Sequence, residues 1–131
     1  MQDRPTACEL LTAVRRFLEQ DVVTAFEGRR RFHALVAANV LAIVERELAC
    51  EEQQLLGEWQ RLGTLLSTGG DEPPRLELLR DAVRTLDAEL TSRIRRGDAD
   101  AGPFAEAVRR HLRATVVDKL RIGNPRALCE A

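Results

Sequence analysis

The longest apolar run in the chain is Ala34 to Val44, eleven residues in which Asn39 alone is polar. A helix that is hydrophobic on every side is expected to be buried on every side. The run is too short to span a bilayer. It therefore predicts the central helix of a bundle, with Val40, Leu41 and Val44 inaccessible to solvent. Other stretches repeat apolar residues at helical spacing. Thr6 and Glu9 read as a capping box that opens a first helix. Leu11, Val14, Leu18, Val22 and Ala25 then recur every three or four residues, an amphipathic stripe. Gly28 suits a helix stop.

The second helix, with the central run, is expected from about Arg29 to Leu48 or Ala49. A third carries Leu55, Trp59, Leu62 and Leu66. Nothing between Ala49 and Gln54 is a strong breaker, so this joint reads equally as a kink, a turn or no break. Ser67 to Pro74, STGGDEPP, is a loop. A fourth helix, Arg75 to Arg96, places Leu79, Val83, Leu86, Leu90 and Ile94 in one stripe and Gly97 at its cap. Pro103 fits the first turn of a fifth, with Phe104, Val108, Leu112, Val116 and Leu120 on its apolar face. Gly123 and Pro125 end it. No stretch alternates at the period of a strand. The expected fold is all-α: a single-domain bundle of about five helices over residues 1–131, around a buried second helix. Residues 126–131 form a tail with little to hold it down.

Composition narrows this picture. A chain of 131 residues, 44% hydrophobic and 31% charged, suits one globular domain. Aromatic residues total 4% and Tyr is absent, so the core must be aliphatic. The net charge of −1 and the scarcity of stacking side chains argue against nucleic-acid binding. Lys119 is the only lysine, so nearly all the basic residues are arginine. This bias fits either a GC-rich coding sequence or a need for bidentate anion contacts. Cys8, Cys50 and Cys129 are scattered and show neither disulfide nor zinc spacing. The N-terminal MQDRPTACE has no apolar leader core. With no membrane span, a cytoplasmic protein is expected.

No phosphate-loop, nucleophile-elbow or zinc-protease motif is present. No catalytic residue, metal ligand or cofactor is assigned. The candidate functional surface is Arg29, Arg30, Arg31, His33, Asn39, Glu45 and Arg46. The three arginines stand at a helix start, where they read as an anion site or as a solvated run. His33 and His111 each lack a second ligand at helical spacing, so a satisfied imidazole is the simpler reading of both. Asn39 interrupts the face of Phe32, Val36 and Ile43. A buried amide needs a partner, so Asn39 is expected to tie the helix internally, while His33 and the arginines face a cleft or partner. Glu45 or Glu47 could pair with an arginine of another helix. Arg109, Arg110 and Arg113 form a second basic cluster.

Three stretches together resemble a small bacterial family of uncharacterised all-helical proteins: DRPTACELLTAVRRFLEQDV near the start, GRRRFHALVAANVLAIVERE at Gly28–Glu47, and HLRATVVDKLRIGNPR at His111–Arg126. The resemblance covers most of the chain and is thinnest over Glu51–Pro74. Its distinctive polar positions are Arg31, His33, Asn39, Glu45, Arg46, Asn124, Pro125 and Arg126. Members of that family are often encoded beside aminoglycoside-phosphotransferase-like kinases and acyl-CoA dehydrogenases. The resemblance implies association with such an enzyme and no activity of its own.

Two functions follow as expectations. The first is a non-catalytic accessory subunit acting through helix faces, as a homo-oligomer or with a kinase-like or acyl-CoA-metabolising enzyme. Its mark would be a second apolar stripe left exposed. The second is a binder of a phosphate-bearing or acyl-CoA-like molecule, with an arginine-rimmed apolar pocket beside His33 or Asn39. An enzyme built from His33 or His111 with Glu45 or Glu47 ranks last.

Overall fold

The computed structural model describes residues 4–129, and every regular element among them is helical. Helix α1 (Ala7–Phe17) runs through a π-helical turn (Leu18–Val22) into Val23–Ala25. The other helices are α2 (Gly28–Leu66), α3 (Leu76–Arg95) and α4 (Gly102–Gly123), with a 3-10 turn at Pro125–Leu128. The 3-10 turn falls within the stretch expected to be a tail, and residues 130 and 131 lie outside the described residues.

Local chemistry accounts for most boundaries. The Thr6 backbone N–H donates to Glu9 Oε2 at 2.7 Å, and the Glu9 N–H donates to Thr6 Oγ1 at 3.3 Å. This reciprocal pair satisfies two of the donors that a helix start leaves open. Phe26 is extended and breaks α1. Gly28, expected to stop α1, instead opens α2 at a φ of +57°, which glycine adopts without cost. Gly97 takes a φ of +89° after α3, and the Asp98 N–H reaches back to the Arg93 carbonyl at 3.1 Å, closing the helix end.

The structure corrects the helix count from five to four. The second and third predicted helices are one helix of 39 residues. The segment 49–54 contains neither Gly nor Pro, so nothing interrupts the backbone ladder there.

Two compact units divide the chain after Cys50, and α2 contributes residues to each. In the first unit the buried edge of α2 runs through Ala34, Ala38, the half-buried Leu41 and Glu45. These recur at spacings of 4, 3 and 4, one face of a helix. Arg15 of α1 donates through Nε to both oxygens of Glu45, at 3.2 and 3.1 Å, and through Nη1 to Glu19 at 3.0 Å. Of the two carboxylates that could pair with an arginine of another helix, Glu45 or Glu47, it is Glu45 that does so, with Arg15.

The central-helix expectation is overturned here. Val40 is 50% exposed and Phe32 62%, and Leu41 and Val44 are only half-buried. Only small residues, Ala34 and Ala38, are fully buried in this stretch. The core lies in the second unit instead. Leu62 and Leu66 of α2, Val83 and Leu90 of α3 and Val108 of α4 form one cluster, with Trp59, Leu86 and Phe104 packed against it. Three amphipathic stripes converge there, and each covers the other two.

Candidate functional site

The first candidate is a surface of the first unit. At 100° per residue, Phe32, Leu35, Val36, Asn39, Val40 and Ile43 lie within one broad arc of α2. Ala34, Ala38, Leu41 and Glu45 fall on roughly the opposite side. The run is apolar all round because it carries two apolar faces. One packs within its unit; the other meets solvent at Phe32, Leu35, Val36 and Val40, each 46% exposed or more. Leu10, Val14 and Phe17 of α1 are also more than half exposed.

Arg29, Arg30, Arg31, His33 and Asn39 are all exposed, while Glu45 and Arg46 are partly buried. Asn39 is not the internal tie it was expected to be: it stands in the middle of the exposed apolar arc. A helix with a free outer face has no neighbour there for the amide to answer. Arg30 lies over the Phe26 ring at 5.6 Å, a cation–π contact. Among the described residues neither Arg29 nor Glu47 forms an ion pair. Both fall on one edge of the exposed arc.

The second candidate is in the second unit. A cleft of about 800 Å³ is lined by apolar groups that include Leu65, Pro103 and Phe104, and by Arg61, Arg110 and His111. A smaller hollow of about 420 Å³ is lined by Arg61, Arg110, Arg113, Arg121 and Asp118. Asp118 takes Arg61 Nη2 at 3.0 Å and Arg121 Nη1 at 3.1 Å. Arg110 and Arg113 have no carboxylate partner among the described residues. Neither His33 nor Asn39, beside which an arginine-rimmed apolar pocket was expected, lines this cleft; His111, Arg61 and Arg110 do, and Arg113 lines the hollow that shares Arg61 and Arg110 with it.

His111 is 5% exposed, and its Nδ1 is buried without a hydrogen-bond partner. Burial holds the imidazole below its ordinary pKa, opposed by Glu58 and Asp87 and reinforced by Arg61. A ring nitrogen of His111 and carboxylate oxygens of Glu58 and Asp87 all lie within 4.8 Å of one another. Thr115 Oγ1 donates to Glu58 Oε1 at 3.1 Å. His111 was expected to be a satisfied imidazole; it is buried, but its Nδ1 is not satisfied. Neither Glu45 nor Glu47 belongs to this group, and Glu58 and Asp87 were not singled out. A signal for them existed. Glu58 lies three residues after Leu55 and four before Leu62. Asp87 lies four after Val83 and three before Leu90. His111 lies three after Val108. Each polar side chain interrupts an apolar stripe of its own helix.

Residues 24–127 match the model of a protein family described as a domain of unknown function, DUF6285. The chain belongs to the DUF6285 family. A comparison with curated proteins found no match, and a comparison with solved structures found none. The family match takes in α2, α3 and α4 whole, and with them both candidate sites of this DUF6285 chain. α1, with Arg15, precedes it. No helix among the described residues is long and apolar enough to cross a membrane.

Proposed function

We propose that this DUF6285 protein is a non-catalytic interaction subunit that self-associates through the outer face of α2. The observation that carries the reading is the second apolar face, Phe32, Leu35, Val36 and Val40, exposed opposite the face that α1 covers. Contiguous exposed apolar residues rimmed by charge mark association surfaces. The occupant that fits is a second copy, antiparallel, about a two-fold axis level with position 38. Val36 then meets Val40 of the other copy. Arg29 meets Glu47, and neither charge has an ion-pair partner among the described residues of its own chain. The two Asn39 amides come together near the axis, where donor and acceptor can satisfy each other. A single polar residue of this kind fixes register in helical interfaces. An enzyme encoded nearby, kinase-like or acyl-CoA-metabolising, would dock on the pair rather than on this face.

Sedimentation velocity on the full chain tests the reading. We expect a concentration-dependent dimer and a monomeric Val36→Glu variant of unchanged helicity. Arg29→Glu removes both symmetry-related charge pairs and weakens the dimer by about two- to thirty-fold, the worth of two exposed pairs. The double swap Arg29→Glu/Glu47→Arg restores it, which a different partner on this face would not do. A wild-type monomer up to ~1 mM, an association of about 4 kcal/mol or weaker, sinks the proposal.

A second reading rests on the cleft of the second unit. An apolar slot opening beside Arg110 and Arg113, neither ion-paired among the described residues, suits a molecule with an acyl tail and a phosphate-bearing head. Isothermal titration with a long-chain acyl-CoA should show saturable binding that Arg110→Ala weakens and Val36→Glu leaves alone. Equal binding by wild type and Arg110→Ala removes this reading.

A further inference from the structure

We propose that Glu58, Asp87 and His111 form a binding site for one borderline divalent metal ion of the zinc or manganese kind. Three helices supply the ligands: Glu58 from α2, Asp87 from α3 and His111 from α4. The ligating atoms lie within 4.8 Å of one another. Two ligand atoms on one such ion, each about 2.1 Å from it, stand roughly 3–4 Å apart. Closing onto an ion thus needs side-chain movements of less than about 1 Å. The buried Nδ1 of His111, without any hydrogen-bond partner, is an independent sign. A buried polar atom left unmatched is destabilising, and a native fold keeps one where something absent from the bare chain answers it.

The donor chemistry narrows the ion. One imidazole and two carboxylates suit zinc, manganese or cobalt, whereas an all-oxygen set would suit magnesium or calcium, and there is no thiolate to select copper(I). The two carboxylates offset the charge of a divalent ion. Thr115, donating to Glu58 Oε1, orients one carboxylate from outside, as hydroxyl and carbonyl groups do around known metal ligands. The nearby Arg61 is turned to Asp118, which partly neutralises its charge. Three protein ligands leave at least one position for water or an anion.

The test uses the full chain in a background of Cys8→Ser, Cys50→Ser, Cys129→Ser and His33→Ala. This removes other soft donors and leaves His111 as the only histidine. Zn²⁺ is titrated calorimetrically, and Co²⁺ is followed by its visible absorption. The ring nitrogens of His111 are followed by NMR during the Zn²⁺ titration. We expect a single saturating equivalent, a shift of the His111 resonances, and affinity at least ~10-fold weaker in each of Glu58→Gln and Asp87→Asn. Both changes keep shape and hydrogen-bonding capacity, so the fold survives them even if a change at the buried His111 does not. Three results overturn the site: no saturable binding, binding that leaves the His111 resonances unmoved, or wild-type affinity in either variant.

Discussion

The two ends of α2 make opposite uses of the same kind of residue. Residues 34–44 are almost entirely apolar, yet the only ones fully buried there are two alanines. Residues 51–66 include Glu, Gln, Arg and two glycines, yet they contain Leu62, at 0% exposure, and Leu66. Composition alone would rank the two ends the other way round. Burial follows the number of elements that pack on a segment. Near Leu62 the stripes of α3 and α4 converge on α2 and enclose it. Near Val40 only one side of α2 is covered, so half of its apolar surface remains in water. Uniform apolarity is thus a statement about how many faces want a neighbour, and the neighbour need not belong to the same chain.

The largest expected effect tests this contrast directly. Leu62→Ala should cost ~2–5 kcal/mol, because a side chain enclosed on all sides leaves a cavity. Val40→Ala, half in solvent, should cost under about 1 kcal/mol in the monomer. Leu41→Ala, half-buried, should fall between, at roughly 1–2 kcal/mol. Urea denaturation at a concentration below dimerisation reads all three. Equal losses at 40 and 62 would remove the distinction between the two ends.

The helices themselves could be read from the chain with little error. The capping box, Pro103 in the first turn of α4, Gly97 after α3 and the loop at 67–74 each depend on neighbours in sequence, and each is present. That a carboxylate ending the apolar run would find an arginine was also legible, but not that it would be Glu45 rather than Glu47, nor that α1 would supply the partner. What could not be read was which stripe meets which. Val40 shows that a helix apolar all round need not be buried all round. The same holds for Asn39, since an amide expected in a core needs an internal partner, whereas one on an outer face does not. Glu58 and Asp87 each interrupt the apolar stripe of their own helix, but that pattern does not say what they meet, and only the approach of three helices brings them to His111.

A smaller effect separates packing from pairing in the first unit. Arg15 and Glu45 are about one-fifth exposed and meet at 3.1 Å. Removing one partner leaves the other half-buried without its counter-charge. We expect Glu45→Ala to cost about 1–2 kcal/mol and Arg15→Ala a similar amount. A double-mutant cycle should give a coupling near 1 kcal/mol. With so few large buried side chains, this unit should lean on that pair more than the second unit leans on any of its own. Hydrogen exchange would show it: the amides of 34–45 should lose protection in either variant, while those around Leu62 keep theirs. Uniform loss across both stretches would mean that the units do not differ in what holds them.

The smallest expected effect concerns the pair at the first residue of the second unit. Arg80 donates through Nε and Nη2 to the two oxygens of Glu51, each at 2.6 Å. That bidentate bond holds the Glu51 carboxyl below its ordinary pKa of 4.5, against a weaker opposing effect of burial. A carboxylate whose folded pKa is depressed stabilises the protein above the unfolded pKa, and the contribution is lost as pH falls through the folded value. Arg80 is 42% exposed, so solvent screens the pair and its worth should stay below about 1 kcal/mol. Glu51→Gln should therefore be slightly less stable than wild type at pH 7, and the gap should narrow steadily below about pH 4.5. Urea titrations at pH 7, 5 and 4 measure it. A gap that stayed constant over that range would mean that Glu51 contributes through its shape and hydrogen bonds rather than its charge. Glu51 would then give the second unit no electrostatic share of the kind that Glu45 gives the first.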